Sequence, residues 1–291
     1  MDSAAVPDPP RAARRGCGSA PGLLRAAHAP PAAAVTVLVT ALAAAWGRDP
    51  GGTVLVALAV LSGQLSVGWS NDVIDLRRDL AAGRLDKPLV TWVVPARAVA
   101  VAAGCSLLLC VPLSLARDPL AGAAHLAGVA AAWAYNLGVK RTVLSWLPYA
   151  LGFALLPAFV TLGLPGQPRP PLWLLGAGAL LGVGAHAANV LPDIDADLAA
   201  GVRGLPQRLG RRGARLLGAS ALAGASVLLV LGPPGAPGAV GWAGLAVTGA
   251  LGVLVMLPPG ADPASRLPFL ATLGLAAVDV GLLLLRGGGP G

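Results

Sequence analysis

From Thr53 to Asn71 the chain runs without a single charge, "TVLVALAVLSGQLSVGWSN". A helix needs roughly 20 such residues to cross the apolar core of a bilayer, about 30 Å thick. Comparable runs recur at about residues 31–46, 53–71, 89–114, 119–139, 143–164, 171–190, 214–231, 238–257 and 267–285, which predicts nine crossings. Their length excludes the strands of a β-barrel, which alternate over about ten residues. Pro/Gly-rich pieces such as "RDPGG" at 48–52 and "GPPGAPG" at 232–238 supply the turns. With 56% hydrophobic and 12% charged residues, no soluble balance is left to explain. The expectation is an all-α integral membrane protein, a bundle of about nine transmembrane helices with a cytoplasmic polar cap.

The basic residues orient that bundle. Arg48, Arg117, Arg169 and Arg286 fall on one side of the expected crossings, and the other 17 of the 21 Lys+Arg fall on the opposite side. The positive-inside rule then puts the N-terminus in the cytoplasm and the C-terminus across the membrane, here taken as the cell membrane. The net charge of +8 is therefore an orientation signal. Nucleic acid is excluded as a partner, because no soluble domain remains to present a basic surface. Residues 1–27, rich in Pro, Ala and Arg, read as a disordered cytoplasmic tail; 28–286 form the membrane domain, and 287–291 a short Gly-rich tail. Cys17, Cys105 and Cys110 share no ligand or disulfide spacing.

All 13 acidic residues are aspartates, and six form two clusters: Asp72, Asp75 and Asp79 behind Asn71, and Asp193, Asp195 and Asp197. Helical spacing puts Asn71, Asp72, Asp75 and Asp79 on one face, and likewise Asp193 and Asp197, with Asp195 off that line. Like charges so arranged repel and call for a cation. Arg77 and Arg78 are adjacent, yet their helical positions point away from the acidic face by roughly 100° to 200°. Hard carboxylate oxygens with an amide carbonyl suit Mg²⁺, which completes its shell with water and phosphate oxygens, so two acidic faces suggest a diphosphate held between them. The ordinary alternative is a set of solvated loop charges, against which stands the shared spacing of two clusters on one membrane side. Gln64 and Asn189 extend the two polar faces into the membrane. "DLAAGRLDKP" from Asp79 and "DLAAGVRGLP" from Asp197 also hint at a loose internal repeat.

"NDVIDLRRD" at 71–79, "DIDAD" at 193–197, "YNLGVKR" at 135–141 and "KP" at 87–88 together resemble the motifs of the UbiA-type intramembrane prenyltransferases. The resemblance covers residues 23–285. It implies a nine-helix bundle in which Mg²⁺ on Asn71, Asp72, Asp75, Asp79, Asp193 and Asp197 binds an isoprenyl diphosphate, the tail lying in a cavity open to membrane lipid. The prenyl group would pass to a lipophilic, commonly aromatic acceptor. Lys140 and Arg141, with Arg84, Lys87 or Arg203, would then stabilise charge on the leaving diphosphate, and Tyr135, Trp69 or Trp133 would offer π-faces to the cation. A related membrane terpene cyclase, acting on the diphosphate without acceptor, is the alternative.

The family often carries an arginine at the start of its first helix, where this chain offers Arg25 and His28, so His28 is a base, an acceptor ligand or an interfacial histidine. Of the membrane-embedded His125 and His186, the latter shares the direction of Asn189 and Asp193 and is the better cavity candidate. Asp279, inside the last expected crossing, has no partner that spacing reveals.

Overall fold

The computed structural model describes residues 20–85, 87–256 and 267–286. Its helices are α1 (Ala20–Ala26), α2 (Ala29–Ala45), α3 (Pro50–Ala81), α4 (Ala96–Leu115), α5 (Pro119–Leu137), α6 (Leu147–Leu162), α7 (Leu172–Val190), α8 (Ile194–Ala199), α9 (Leu205–Leu231), α10 (Gly238–Met256) and α11 (Leu267–Arg286). Short 3-10 turns occupy Val139–Arg141 and Leu191–Asp193, and no strand occurs among the described residues. Among the described residues five segments are long and apolar enough to cross a membrane, namely α3, α4, α7 running into α8, α9 and α10. Helices α2, α6 and much of α11 are shorter but equally apolar.

Local chemistry accounts for where the helices begin. Asp49 and Asp118 cap α3 and α5, accepting from Gly52 N at 3.0 Å and from Leu120 N and Ala121 N at 2.9 Å, and each is followed by a proline at the first helical position. The Gly52 N–H, with Arg117, holds the exposed Asp49 carboxyl below its ordinary range. At this end of the bundle Arg117 also donates to Asp49, and Gln167 to Asp118, tying three connections together.

Several boundaries differ from the sequence reading. The third long helix starts at Ala96, not near 89, because residues 87–95 fold into turns that pack Leu89, Val90 and Val94 against Leu76 and Ala26. Helix α9 starts at Leu205 and breaks at Gly210 (φ 69°, ψ 175°), a backbone geometry that glycine adopts without a side-chain clash. Helix α1 lies inside the stretch expected to be a disordered tail, whereas residues 1–19 and the 287–291 tail lie outside the described residues. The repeated "DLAAG" has a plain origin. Gly83 (φ 64°) and Gly201 (φ 77°) end their helices in left-handed turns, with Arg84 N bonding back to Asp79 O at 3.0 Å and Val202 N to Asp197 O at 2.8 Å. The same C-terminal cap is used twice.

The interior core is built from Leu42, Val56, Val60, Phe159, Leu174 and Leu229. Small residues set how closely helices approach, as expected where hydrophobicity alone gives no preference between lipid and protein. A β-carbon on Gly178 of α7 would lie 2.7 Å from the Phe153 carbonyl oxygen of α6, and one on Gly182 would overlap the Tyr149 carbonyl. Gly182→Ala should therefore push α7 off α6 and destabilise the protein by about 1–3 kcal/mol. Gly104→Ala, where nothing lies within 4 Å of the added carbon, should leave it unchanged or raise it slightly. Thermal unfolding of the two variants in detergent checks the contrast.

Candidate active site

A cavity of about 660 Å³ lies among α2, α3, α5, α6 and α7. Along α3 its wall is Gly63, Gln64, Val67, Gly68, Asn71, Asp75 and Arg78; along α5 it is His125, Gly128, Val129, Ala132, Tyr135 and Asn136. Both series follow helical spacing, so each helix presents one continuous face. The polar end gathers Asp75, Arg78, Arg84, Lys87, Lys140, Asp193, Asp197 and Gln207, while Val35, Leu155 and Leu156 help form the apolar walls.

Both acidic clusters stand at this polar end, and they meet through basic side chains. Lys140 Nζ donates to Asp75 Oδ1 at 2.5 Å, with both residues buried. Arg78 donates to Asp75 Oδ2 at 2.9 Å and reaches Asp79 Oδ1 at 3.4 Å. Lys87 Nζ and His28 Nε2 both reach Asp72 Oδ1, at 2.7 and 2.9 Å. From the cap of α3, Arg84 spans to Asp193 at 3.6 Å, joining the first cluster to the second. Gln207 donates to Asp197 Oδ2 at 2.8 Å, and Arg211 pairs with Asp195 on the exposed surface. Burial pushes the Lys140 ammonium below the usual lysine range, and Asp75 opposes that shift.

This corrects the sequence reading at several positions. Arg78 does not point away: an arginine three residues from Asp75 bends its long stem back along the helix. Asp72 and Asp79 are buried beneath their cations and do not line the cavity, although Asp72 Oδ2 is buried without a hydrogen-bond partner. Arg141 and Arg203 are exposed and also lie off the cavity, because the 3-10 turn that turns Lys140 inward leaves its neighbour outside. His28, in a left-handed conformation (φ 52°), belongs to the Asp72 cluster instead of being a mere interfacial residue. Asn189 lines the cavity and donates to Tyr149 OH at 3.3 Å.

The histidines exchange places. His186 is fully buried behind Tyr135 and Tyr149, with ring centroids at 5.6 and 4.8 Å, and bonds Ser145 at 3.0 Å, so it does not line the cavity. His125 does. Trp133 and Trp69 bond Ser66 Oγ (3.2 Å) and Leu23 O (2.9 Å) and act in packing. Asp279 finds a partner in the Ser226 hydroxyl, which in turn lies 2.9 Å from Thr248.

Sequence reasoning missed Tyr149, Asn136 and Gln207. The chain has only two tyrosines, and their meeting edge to face at 5.2 Å is a signal that scarcity alone could have raised. Asn136 donates to Val67 O and Ser70 Oγ, both at 2.9 Å, and receives the Asn71 amide at 3.1 Å, so it fixes the first residue of the acidic motif.

Among the described residues no three Asp, Glu, His or Cys side chains form a closed metal cage. The donor set still suits Mg²⁺ in kind. Asn71, Asp75, Asp193 and Asp197 offer hard oxygens to one cavity, and Mg²⁺ takes only one or two carboxylates when phosphate supplies the rest.

The profile of the UbiA prenyltransferase family matches residues 32–276. The chain belongs to the UbiA prenyltransferase family. Among curated relatives it is similar to the bacteriochlorophyll synthase 33 kDa chain of Cereibacter sphaeroides, 29% identical over 195 residues that span 64% of each chain. In fold, this UbiA chain is similar to a UbiA homologue from Archaeoglobus fulgidus solved bound to GPP and Mg²⁺ (TM-score 0.69, 18% identity, 90% of this chain and 97% of that one). A UbiA homologue from Aeropyrum pernix K1, solved in its apo form, is similar too (TM-score 0.66, 17% identity, 91% and 97%).

The buried Asp75–Lys140 pair gives a direct test of how the UbiA site is held. Lys140→Met should leave the buried Asp75 carboxylate with Arg78 alone and cost about 1–3 kcal/mol of stability, and Asp75→Asn combined with it should recover part of that loss. Unfolding midpoints of the two singles and the double measure the coupling.

Proposed function

We propose that this UbiA chain is a Mg²⁺-dependent intramembrane prenyltransferase, moving an allylic prenyl group from its diphosphate to a lipophilic, commonly aromatic acceptor. The observation that carries the reading is one cavity with carboxylates and cations gathered at its polar end and apolar walls below. Support comes from the A. fulgidus homologue bound to GPP and Mg²⁺. In this reading the chain crosses the cell membrane nine times with its N-terminus and polar cap in the cytoplasm, as the basic residues are distributed.

Asn71, Asp75, Asp193 and Asp197 would hold Mg²⁺, with Asp72 and Asp79 behind them. The metal, when bound, would neutralise charge on the diphosphate oxygens. Lys140, Arg78, Arg84 and Lys87 carry cations to the same end of the cavity and would hold the diphosphate as the bond from carbon 1 to oxygen breaks and the electron pair leaves with it. Tyr135 and Tyr149 set aromatic faces and edges beside the site, where an allylic cation gains from the π-system. Val67, Val129, Leu155 and Leu156 would keep water from that cation until the acceptor attacks it, the hydrogen it replaces leaving as a proton to the released diphosphate.

With purified protein, Asp75→Ala or Asp193→Ala should lower Mg²⁺-dependent transfer by about 100-fold or more while membrane insertion stays intact. Transfer that survives in either variant would sink the two-cluster assignment. Product analysis with diphosphate alone tests the reaction type, since a cyclic hydrocarbon made without acceptor would replace transfer by cyclisation. Chelation with EDTA should abolish turnover, and added Mg²⁺ should restore it.

A further inference from the structure

We propose that the deep end of the cavity is a hydrogen-bonding subsite, made by His125 with Gln64 on the facing helix, that takes an O–H or N–H group carried by the lipophilic acceptor. Naming the acceptor's chemistry in this way rests on the proposed function.

His125 precedes Tyr135 by ten residues on one helix face, which sets it about 15 Å further from the polar end. It is only 4% exposed, lines the cavity, and stacks on Phe159 with ring centroids 4.7 Å apart. Across from it lies Gly63, where a β-carbon would stand 3.4 Å from His125 Cε1, at van der Waals contact. The ring is thus held in one position.

Its hydrogen bonds select the tautomer. Ser114 Oγ donates its single hydrogen to the Cys110 carbonyl at 2.7 Å, so toward His125 Nδ1, 2.8 Å away, that oxygen can only accept. Nδ1 therefore carries the proton of the neutral ring, and Nε2 is left as a bare acceptor. No hydrogen-bond partner for Nε2 occurs among the described residues. Gln64, seven residues before Asn71 on the same cavity wall, likewise has no such partner for its amide.

A bare acceptor in apolar surroundings favours a ligand that donates to it and disfavours one that does not. A hydrocarbon tail lying there would leave Nε2 and the Gln64 amide unsatisfied. A hydroxyl would satisfy Nε2 as acceptor, and the Gln64 amide offers a further polar group on the same cavity lining. One trapped water could also do so, and the experiment separates that case.

Protein labelled with ¹⁵N-histidine and held in lipid nanodiscs has three histidines to resolve, and His125→Phe identifies the one concerned while keeping an aromatic ring against Phe159. The resting spectrum should show His125 with an unprotonated Nε2. Adding 1-naphthol should move that signal, adding naphthalene should not, and His125→Phe should lower naphthol affinity about tenfold relative to naphthalene. A protonated Nε2, a signal that naphthol leaves in place because water alone occupies the site, or equal responses to both probes would overturn the subsite. Should His125→Phe fail to fold, His28→Asn and His186→Asn assign the signal by elimination, and the wild-type spectra decide. Hydroxyl-dependent binding at His125 without any prenyl transfer would overturn the proposed function and leave the subsite standing. Prenyl transfer with no hydroxyl discrimination would do the reverse.

Discussion

The buried contact between Lys140 and Asp75 ties the far end of α3 to the turn after α5, and the rest of the polar cap is arranged around it. With 32 residues α3 is about 48 Å long, well beyond the roughly 30 Å of a bilayer core, so its last turns extend past the apolar layer and carry the acids. Three buried aspartates in those turns would repel one another unpaired. Arg78 from the same helix, Lys87 from the following turns and Lys140 from beyond α5 each take one or two of them. Such pairs contribute little net stability, because desolvation offsets most of the attraction. Their effect is positional: the full set of pairs forms only if three separate pieces of chain come together.

Below the cap, the arrangement is governed by what is small. Gly178 and Gly182 let α7 lie against the backbone of α6, and Gly68 lets α3 meet the Ala27 carbonyl, while Gly128 and Gly152 line the space between α5 and α6. Close helix contact at some glycines and open space at others come from the same lack of a side chain. The outcome is a chamber with an ionic end, an aromatic pair at Tyr135 and Tyr149, and His125 further along α5. Chemistry that separates charge benefits from that gradient, since the ions are held where cations are dense and water is excluded where a carbocation would stand.

Much of this could be read from the chain. Uncharged runs located the long helices, and the spacing of Asn71, Asp72, Asp75 and Asp79 placed them on one side of α3. Less legible were the long basic side chains. The backbone direction of Arg78 points off the acidic face, yet its guanidinium returns to it, because a flexible stem of that length can reach positions that helical angle alone would exclude. Likewise the repeat at Asp79 and Asp197 was visible, but its meaning as one glycine-ended helix cap required backbone angles.

By itself, then, the sequence determined the solvent the chain lives in, the helical class and the two acidic clusters, because hydropathy and helical period are local properties. Which of His125 and His186 faces the cavity, which cation meets which aspartate, and which of Lys140 and Arg141 turns inward were decided only by the tertiary structure. Each of those depends on how neighbouring helices are rotated about their axes. That rotation is set by close contacts such as Gly182 against Tyr149, between residues that the linear sequence does not bring together.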